Sequence, residues 1–484
     1  MKKAAFAVGF VVLATLNSAG YRYAASDQAF YIPSVLRQLD AALFPRDAAL
    51  IDAQSHLAIM DEAIAAAVRL TGLSLQHLFL GLYVAALLLL LGAAARVGTH
   101  IYRSQWTVAA LAIALTLRHA IAKTGANTLE GYFHPRQFAF AVGLWAVAEF
   151  LRARDWRWPL LLVVAAAAHP TTALWFGVWL GAAGVIGRPR WRPAIAAALV
   201  AGAVVAAVLV WRGAFAERLV GMDAEWLAAI GEKDLFPLSW PGNVWLTNLV
   251  SVPIILLCWR ARQRAGLTVG GETAIALGSM ALVIVFACWL PFNVARIALA
   301  VQLQTARVFW MLDVLATIYI VWWLCERVPQ RPRGVLVAAM LLLLSTTRGL
   351  YTCYVQFPDR RMFAVDIQHD DWRDAMTFAA STDPASGWLA DPIHAARYGS
   401  SVRAAGRRDV LIEEIKDRAI AMYDRPVAIG VNERLRALSA LPWDTPDGAR
   451  ALARRFGLDY LVIDRELDLP LVHRSGSLYI YRLR

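Results

Sequence analysis

The hydrophobic and polar positions divide this chain of 484 residues into two unlike parts. Up to about residue 355, apolar runs of roughly 16–22 residues alternate with short arginine-rich breaks, whereas the remainder mixes polar and apolar positions as a soluble domain does. A helix that crosses a bilayer needs about 20 apolar residues, although packed spans can be shorter. The pattern predicts a polytopic α-helical membrane protein of about eleven spans: 3–20, 74–94, 105–122, 137–151, 159–168, 171–187, 194–211, 244–259, 272–290, 305–325 and 334–352.

The pair 159–168 and 171–187 has basic residues on both flanks and too little chain between them for two full crossings. Pro170 cannot continue a helix that ends at His169. We therefore predict a broken-helix hairpin near His169-Pro170. Non-helical backbone at membrane depth is tolerated only beside protein or a wet cavity, so the break is expected to line a cavity.

The first loop, 21–73, carries two amphipathic patterns, at 34–43 and 54–70. In the second, Leu57, Met60, Ile64 and Val68 recur at helical spacing, as in helices that lie on a membrane surface. Two roles are compatible with this pattern: the helices cover the bundle, or they form the wall of a site at the lipid–water boundary.

The last part of the chain, 356–484, reads as a small α/β domain. Residues 371–382 predict a helix, and 445–457 predict a capped helix that stops at Gly457. Strands are predicted in 386–392 and 458–464, and a hairpin turns at Ser475-Gly476. We therefore divide the chain into a transmembrane domain, 1–355, and a C-terminal domain, 356–484.

Charge sets the expected orientation. Residues 1–355 carry 29 basic and 17 acidic side chains, whereas residues 356–484 carry 19 of each and are neutral. Short basic loops mark the cytoplasmic side of a membrane protein. This accounts for the net charge of +12 without a nucleic-acid partner. The basic loops contain Lys2, Lys3, Arg96, Arg103, Arg152, Arg154, Arg157, Arg188, Arg190, Arg192, Arg260, Arg262, Arg264, Arg327, Arg331 and Arg333.

This count places the N-terminus in the cytoplasm and the C-terminal domain outside it. The scarcity of lysine and abundance of alanine favour a bacterial source, so the expected location is the bacterial cytoplasmic (inner) membrane. Residues 1–19 resemble a signal peptide but lack a small-residue cleavage site, which favours a retained first span.

Several ionisable residues fall near the outer ends of the predicted spans, where charge is costly and often functional. Asp27 lies just after the first span among aromatic residues, where a carboxylate can act as a general base or bind a divalent cation; the alternative is an exposed acid or a helix N-cap. The other candidates are Arg118, Glu130, His134, Arg136, His169, Arg296, Gln304 and Arg307.

Each of these candidates has a plainer interpretation. The arginines suit a phosphate, but they equally suit snorkelling to lipid phosphates. Arg307 is close enough in sequence to Asp313 to pair with it inside the bundle. His169 is at the helix break, yet a lone histidine is more often a satisfied core residue. No nucleotide-binding motif is present in the sequence.

The chain resembles the GT-C superfamily, the polytopic membrane glycosyltransferases, in its bacterial branch with a small C-terminal soluble domain. The resemblance covers most of the chain and rests on five motifs in order: "SDQAFYIPSVLRQLDAALFPRD", "HPRQFAFAVGLWAVAEFL", "HPTTALW", "LQTARVFWMLD" and "SVRAAGRRDVLIEEIKDR". Many relatives have two adjacent acids where this chain has Ser26-Asp27.

The resemblance implies inverting transfer of a sugar from a polyprenyl-phosphate donor to a glycan, lipid or protein acceptor at the outer membrane face. It implies that Asp27, or alternatively Asp47, is the catalytic carboxylate. The donor phosphate would be bound by Arg136 or Arg307, with Arg118 and Arg296 as further candidates. In this family the acid of the first loop is either a base or a metal ligand; as a metal ligand, Asp27 would bind Mg²⁺ or Mn²⁺, and Glu130 is a further candidate ligand.

Two other classes stay open at this level. A transporter or flippase for a lipid-linked or small solute also uses broken helices, although no inverted repeat is visible in the span pattern. A non-catalytic envelope assembly protein would use the C-terminal domain to bind a partner. Convergence of Asp27, Arg136, His169 and Arg307 on one cavity would favour the enzyme.

Overall fold

The computed structural model describes residues 2–55, 58–231, 233–328 and 333–484. In the transmembrane domain the helices are α1 (Lys2–Asn17), α2 (Gln28–Leu39), α3 (Ala48–Ser55), α4 (Met60–Thr71), α5 (Leu75–Ile101), α6 (Gln105–Ala114), α7 (Pro135–Leu151), α8 (Arg157–Ala168), α9 (Pro170–Gly187), α10 (Arg192–Trp211), α11 (Ala224–Ile230), α12 (Gly242–Leu249), α13 (Ser251–Arg264), α14 (Glu272–Gly278), α15 (Met280–Val294), α16 (Ala298–Gln302), α17 (Val308–Glu326) and α18 (Gly334–Tyr351).

The C-terminal domain contains helices α19 (Asp370–Ser381), α20 (His394–Tyr398), α21 (Val402–Gly406), α22 (Glu414–Ala421), α23 (Arg425–Ala440) and α24 (Pro446–Phe456). The strands are β1 (Tyr21–Arg22), β2 (Phe363–Ala364), β3 (Gly387–Leu389), β4 (Asp409–Val410), β5 (Tyr460–Ile463), β6 (Leu471–Ser475) and β7 (Leu478–Arg482). Short 3₁₀ turns occupy Pro189–Trp191, Lys233–Leu235, Pro237–Ser239 and Thr305–Arg307, and a π turn, Thr352–Gln356, extends α18.

The transmembrane domain is a helical membrane bundle. Within the described ranges, seven helical segments are long and apolar enough to cross a membrane: Leu75–Ile101, Pro170–Gly187, Pro189–Trp211, Gly242–Arg264, Glu272–Val294, Ala298–Glu326 and Gly334–Gln356. The segment Pro189–Trp211 buries none of its apolar window against the protein, so lipid is the medium that covers it. A helix is found at each of the eleven predicted ranges, but the count of eleven crossings stays a prediction.

The helix predicted over 105–122 is shorter than expected, because α6 ends at Ala114. Thr116 donates its hydroxyl to the Ile113 carbonyl at 2.6 Å and contacts Ser345 Oγ at 2.6 Å, which stabilises a turn in place of further helix. The prediction for 115–122 was therefore wrong, and that stretch forms part of the loop that leads to the site.

The broken helix was predicted correctly. The backbone N–H of His169 still bonds to Ala165, and the next helix, α9, begins at Pro170. The His169 ring then caps α9, since its Nδ1 accepts from the Thr172 backbone at 3.3 Å and from the Thr172 hydroxyl at 2.9 Å.

The first loop folds into helices, with bounds that differ from those predicted. The pattern at 34–43 belongs to α2, and that at 54–70 is divided between α3 and α4. Leu57 lies outside the described residues. A buried hydrogen bond of 2.7 Å from Ser34 to Asp61 joins α2 to α4.

The predicted α/β character of the C-terminal domain is confirmed. Its five-stranded sheet has the order β4-β3-β5-β7-β6, with β3 parallel to β4 and β5, and β7 antiparallel to β5 and β6. The hairpin turns at Gly476, whose φ of +54° suits glycine. Outside this sheet, β2 pairs in parallel with β1 and so joins the C-terminal domain to the first loop.

The C-terminal domain packs on the bundle through a second apolar core. Trp226 of α11 is buried against Ile420 and Met422 of the C-terminal domain, and its ring N–H donates to the Ala421 carbonyl at 2.8 Å. Beside this core, Asp47 accepts hydrogen bonds from Arg403 at 2.6 Å and Arg434 at 3.1 Å. These contacts fix α22 against α11, and α21 and α23 against the first loop.

Several residues of the basic loops are paired with acids rather than free in solvent. Arg262 and Glu272 are each 1% exposed and bond at 2.6 and 3.0 Å. Arg262 also donates to the Ile101 carbonyl at 3.1 Å, and Arg96 bonds to Glu149. The positive charge at this end of the bundle is therefore smaller than a count of loop arginines indicates.

Candidate functional site

A cavity of about 460 Å³ lies between the bundle and the C-terminal domain. Its walls come from the first loop, the loop before α7, the α8–α9 break, the turn before α17, and α22 with the residues that follow it. Elements far apart in sequence therefore converge on one space. Eight of the residues proposed from the sequence line this cavity: Asp27, Arg118, Glu130, His134, Arg136, His169, Gln304 and Arg307.

Asp27 is the most heavily coordinated carboxylate in the cavity. Its Oδ1 accepts from Lys416 Nζ at 2.6 Å, and its Oδ2 accepts from His134 Nε2 at 3.1 Å and the Tyr132 hydroxyl at 3.3 Å. Although Asp27 precedes α2, its side chain makes no capping hydrogen bond. Asp27 therefore occupies the N-cap position of α2 without capping it, since the carboxylate is directed to other side chains.

Electrostatics keep Asp27 ionised. Burial alone would raise the pKa of Asp27, but the charge of Lys416 and the hydrogen bond from His134 hold that pKa well below its ordinary value. The turn that presents Asp27 is strained, since Ala24 and Ser26 have φ of +61° and +53°. Gln28 steadies this turn by accepting from the Ala24 backbone at 2.7 Å.

The protonation state of His134 follows from its two contacts. Nδ1 accepts from the Arg136 backbone N–H at 3.0 Å, as the N-cap of α7, with Pro135 in the first turn. Burial and the charge of Arg136 lower the pKa of His134 to about 4, so the ring is neutral near pH 7. Its single proton is then on Nε2 and is donated to Asp27.

Arg136 and Arg307 provide the deepest positive charge. Arg136 donates to Glu130 at 2.9 Å, and Glu130 also accepts from Asn127 at 3.3 Å. Arg307 makes no ion pair with any described residue, and its Nε is buried without a hydrogen-bond partner. The alternative pairing with Asp313 is not formed, because Asp313 contacts His119 at 3.0 Å.

The described lining residues carry five cationic and three anionic side chains. Each carboxylate has its own partner: Asp27 with Lys416, Glu130 with Arg136, and Asp234 with Lys123 at 2.8 Å. Among the residues that the structure describes, Arg118 and Arg307 are left without an acidic partner. The cavity therefore has an excess of positive charge suited to an anionic group.

His169 brings a second imidazole to the cavity. Its Nδ1 is occupied in capping α9, which leaves Nε2 as the free edge, and its ring centroid is 6.2 Å from that of His134. The expectation that the break lines a cavity is confirmed.

Two sequence candidates lie elsewhere. Asp47 is buried in the ion network with Arg403 and Arg434, and Arg296 is an exposed residue after α15. Neither lines the cavity. The structure thus connects Asp47 with docking of the C-terminal domain.

The C-terminal domain supplies residues that sequence reasoning did not select: Lys416, Met422 and Tyr423. The one available signal was Lys416, an isolated lysine in a chain that uses arginine almost throughout. Tyr132 was also missed, although it stands two residues before His134.

The divalent cation expected from the sequence stays a prediction, and the carboxylates expected to bind it are paired with other side chains in this structure. Lys416 and His134 occupy the two oxygens of Asp27, and Arg136 already neutralises Glu130. In the described part of the chain, no group of three or more His, Cys, Asp or Glu residues is arranged to hold a metal ion.

Comparison with known proteins does not add a relative: no protein-family model matches the chain, and no curated protein matches it.

Proposed function

We propose that this protein is a membrane glycosyltransferase of GT-C type, which moves a sugar from a polyprenyl-phosphate donor to an acceptor hydroxyl with inversion. One observation carries the proposal: Asp27, Arg136, His169 and Arg307 line a single cavity between the bundle and the C-terminal domain. A carboxylate base and unpaired cations around one space are what such a reaction requires.

The charge of the site matches the reaction. A polyprenyl-phosphate sugar is a phosphodiester with one negative charge, and its phosphate leaves as a monoester that carries up to two. The two arginines without acidic partners, Arg118 and Arg307, complement the charge that develops on the leaving phosphate. A cation whose attraction to the phosphate increases as negative charge develops lowers the barrier. A cation that binds substrate and transition state equally well does not.

Asp27 is the proposed general base. The acceptor oxygen attacks the anomeric carbon, its proton passes to Asp27, and the bond from that carbon to the phosphate oxygen breaks with its electron pair on the phosphate. His134 and Tyr132 donate to Asp27 Oδ2 and so orient the carboxylate.

The cavity also suits a lipid-linked donor by position. Its lining residues gather where the bundle meets the C-terminal domain, and the described part of the bundle has seven helical segments apolar enough to cross a membrane. We place this end at the outer face of the bacterial cytoplasmic membrane, as the basic loops indicate. The polyprenyl chain then stays in lipid while its phosphate reaches Arg307.

The test is sugar transfer from polyprenyl-phosphate donors in membranes, with Asp27→Asn compared with wild type at matched expression. We expect a loss of about 100- to 10,000-fold, the usual contribution of a general base. Asp40→Asn is the matched control, because Asp40 is an exposed acid of the same loop. Undiminished transfer by Asp27→Asn would remove Asp27 from the mechanism.

A further inference from the structure

The C-terminal domain contributes a cation to the cavity. Lys416 of α22 is 17% exposed, and its ammonium group lies 2.6 Å from Asp27 Oδ1 and 3.3 Å from Ser26 Oγ. It lines the same cavity as Arg136 and Arg307. A soluble domain thus places a charge beside a carboxylate of the transmembrane domain.

Two contacts of neighbouring residues of α22 and its N-cap fix the position of Lys416. The side chain of Glu413 caps α22 by accepting from the Lys416 backbone at 2.8 Å. One turn further, Asp417 pairs with Arg403 at 2.6 Å, and Arg403 pairs with Asp47 of the first loop. The network that docks the domain therefore also sets where the ammonium group lies.

Lys416 has donor capacity beyond its contact with Asp27. An ammonium group carries three N–H donors, and the described partners, Asp27 and Ser26, use two. The stem has four flexible carbons, so the group can reorient towards a ligand without movement of the helix. Arg307 lines the same space with a buried, unpartnered Nε, so an anion there meets two cations from different domains.

We propose that Lys416 is a phosphate-binding residue, supplied by the C-terminal domain, for the phosphate of a lipid-linked ligand in this cavity. The choice of a lipid-linked phosphate rests on the proposed function; the contacts themselves do not. The complete site then requires the C-terminal domain. This explains why a soluble domain is anchored to the first loop by β1–β2 pairing and by Asp47.

The alternative is that Lys416 only neutralises Asp27. The two roles separate when Asp27 is removed. In an Asp27→Asn background, a lysine that served only Asp27 has no further role in binding, whereas a phosphate ligand keeps its effect.

The experiment measures binding of farnesyl phosphate, a short polyprenyl monophosphate, to purified full-length protein in detergent. We expect Asp27→Asn/Lys416→Met to bind at least about tenfold more weakly than Asp27→Asn, as for loss of a charge-assisted hydrogen bond. Asp27→Asn/Lys416→Arg should stay within a few fold of Asp27→Asn, which shows that the charge is needed. Equal affinity of Asp27→Asn and Asp27→Asn/Lys416→Met would overturn the proposal.

Two controls complete the design. Arg418→Met, also in the Asp27→Asn background, removes a cation from α22 that pairs with Glu414 and does not line the cavity, so binding should be retained. Inorganic phosphate is titrated in parallel. Tighter, Lys416-dependent binding of farnesyl phosphate supports a lipid-linked ligand; Lys416-dependent binding of inorganic phosphate with equal affinity would overturn the lipid-linked assignment.

Failure of this proposal is distinguishable from failure of the proposed function. Sugar transfer that depends on Asp27, together with farnesyl phosphate binding that ignores Lys416, overturns only the lysine assignment. Lys416-dependent binding without sugar transfer from any donor overturns only the glycosyltransferase.

Discussion

Asp27, which is half-buried, and Asp61, which is buried, are both acids of the first loop, and their surroundings shift their pKa values in opposite directions. Asp27 is paired with Lys416 and accepts from His134, which keeps it ionised. Among the residues that the structure describes, the hydroxyl of Ser34 is the one hydrogen-bond partner of the Asp61 side chain, and burial raises the pKa of Asp61 to about 7. The pairing of a carboxylate, more than its place in the loop, decides what chemistry it can perform.

The raised pKa of Asp61 predicts a pH-dependent stability. The pKa of Asp61 in the folded protein lies above the ordinary 3.8, so the folded state holds this proton more tightly than the unfolded chain. The resulting contribution to the free energy of unfolding is fully present below about pH 4 and is lost as the pH rises to about 7. Asp61→Asn keeps an acceptor for Ser34 and removes this loss. We expect it to raise the melting temperature in detergent at pH 8 by the equivalent of up to about 4 kcal/mol, and at pH 4.5 by only about 1 kcal/mol. An equal gain at both pH values would contradict this account.

At the scale of elements, a buried ion pair fastens α13 to α14. Glu272 accepts from Arg262 and from the Val269 backbone at 2.9 Å, and the guanidinium lies 5.0 Å from the ring of Trp322 on α17. Such a pair contributes little net stability as a whole, but loss of one partner leaves a buried charge.

Glu272→Gln should therefore destabilise the bundle by about 3–5 kcal/mol, which leaves Arg262 without its counter-charge. Thermal unfolding in detergent is the measurement. The double variant Arg262→Met/Glu272→Gln should recover much of the loss, since no unpaired charge remains. A double variant less stable than Glu272→Gln would show that the pair is needed for more than charge balance.

At the scale of the whole molecule, the C-terminal domain and the transmembrane domain form one site through the Asp47 network. Asp47 accepts from Arg403, Arg434 and the Val410 backbone, at 2.6, 3.1 and 3.2 Å. Burial opposes ionisation of Asp47, yet the two arginines lower its pKa below the ordinary value. These contacts connect Asp47 with docking of the C-terminal domain.

Asp47→Ala should loosen the C-terminal domain, because Arg403 loses half of its counter-charge in a buried position. We expect faster limited proteolysis in the segment 356–370 and weaker farnesyl phosphate binding, since Lys416 is no longer held. Asp444→Ala is the control: it breaks the more exposed pair with Arg465 inside the domain, worth about 1 kcal/mol or less. Proteolysis unchanged by Asp47→Ala would contradict the docking role.

Local signals were enough to predict the membrane bundle, the break at Pro170 and about half of the C-terminal elements, namely α19, α24, β3, β5, β6 and β7; α20 to α23, β2 and β4 were not predicted. Hydrophobic periodicity, proline and glycine act over a few residues, and each has the same meaning wherever the chain folds. The end of α6 escaped these signals, because the turn at Thr116 is stabilised by Ser345, 229 positions away.

The tertiary fold decides which charged side chains pair with one another. The candidate cations and acids could be selected from the sequence because charge at membrane depth is costly wherever it occurs. Their partners could not: Lys416 and Asp27 are 389 positions apart, and Arg403 and Asp47 are 356 apart. A short ion pair depends on ångström distances that only packing of the two domains establishes. This packing pairs Asp47 with arginines of the C-terminal domain, leaves Arg307 without an acidic partner among the described residues, and places Lys416 in the cavity.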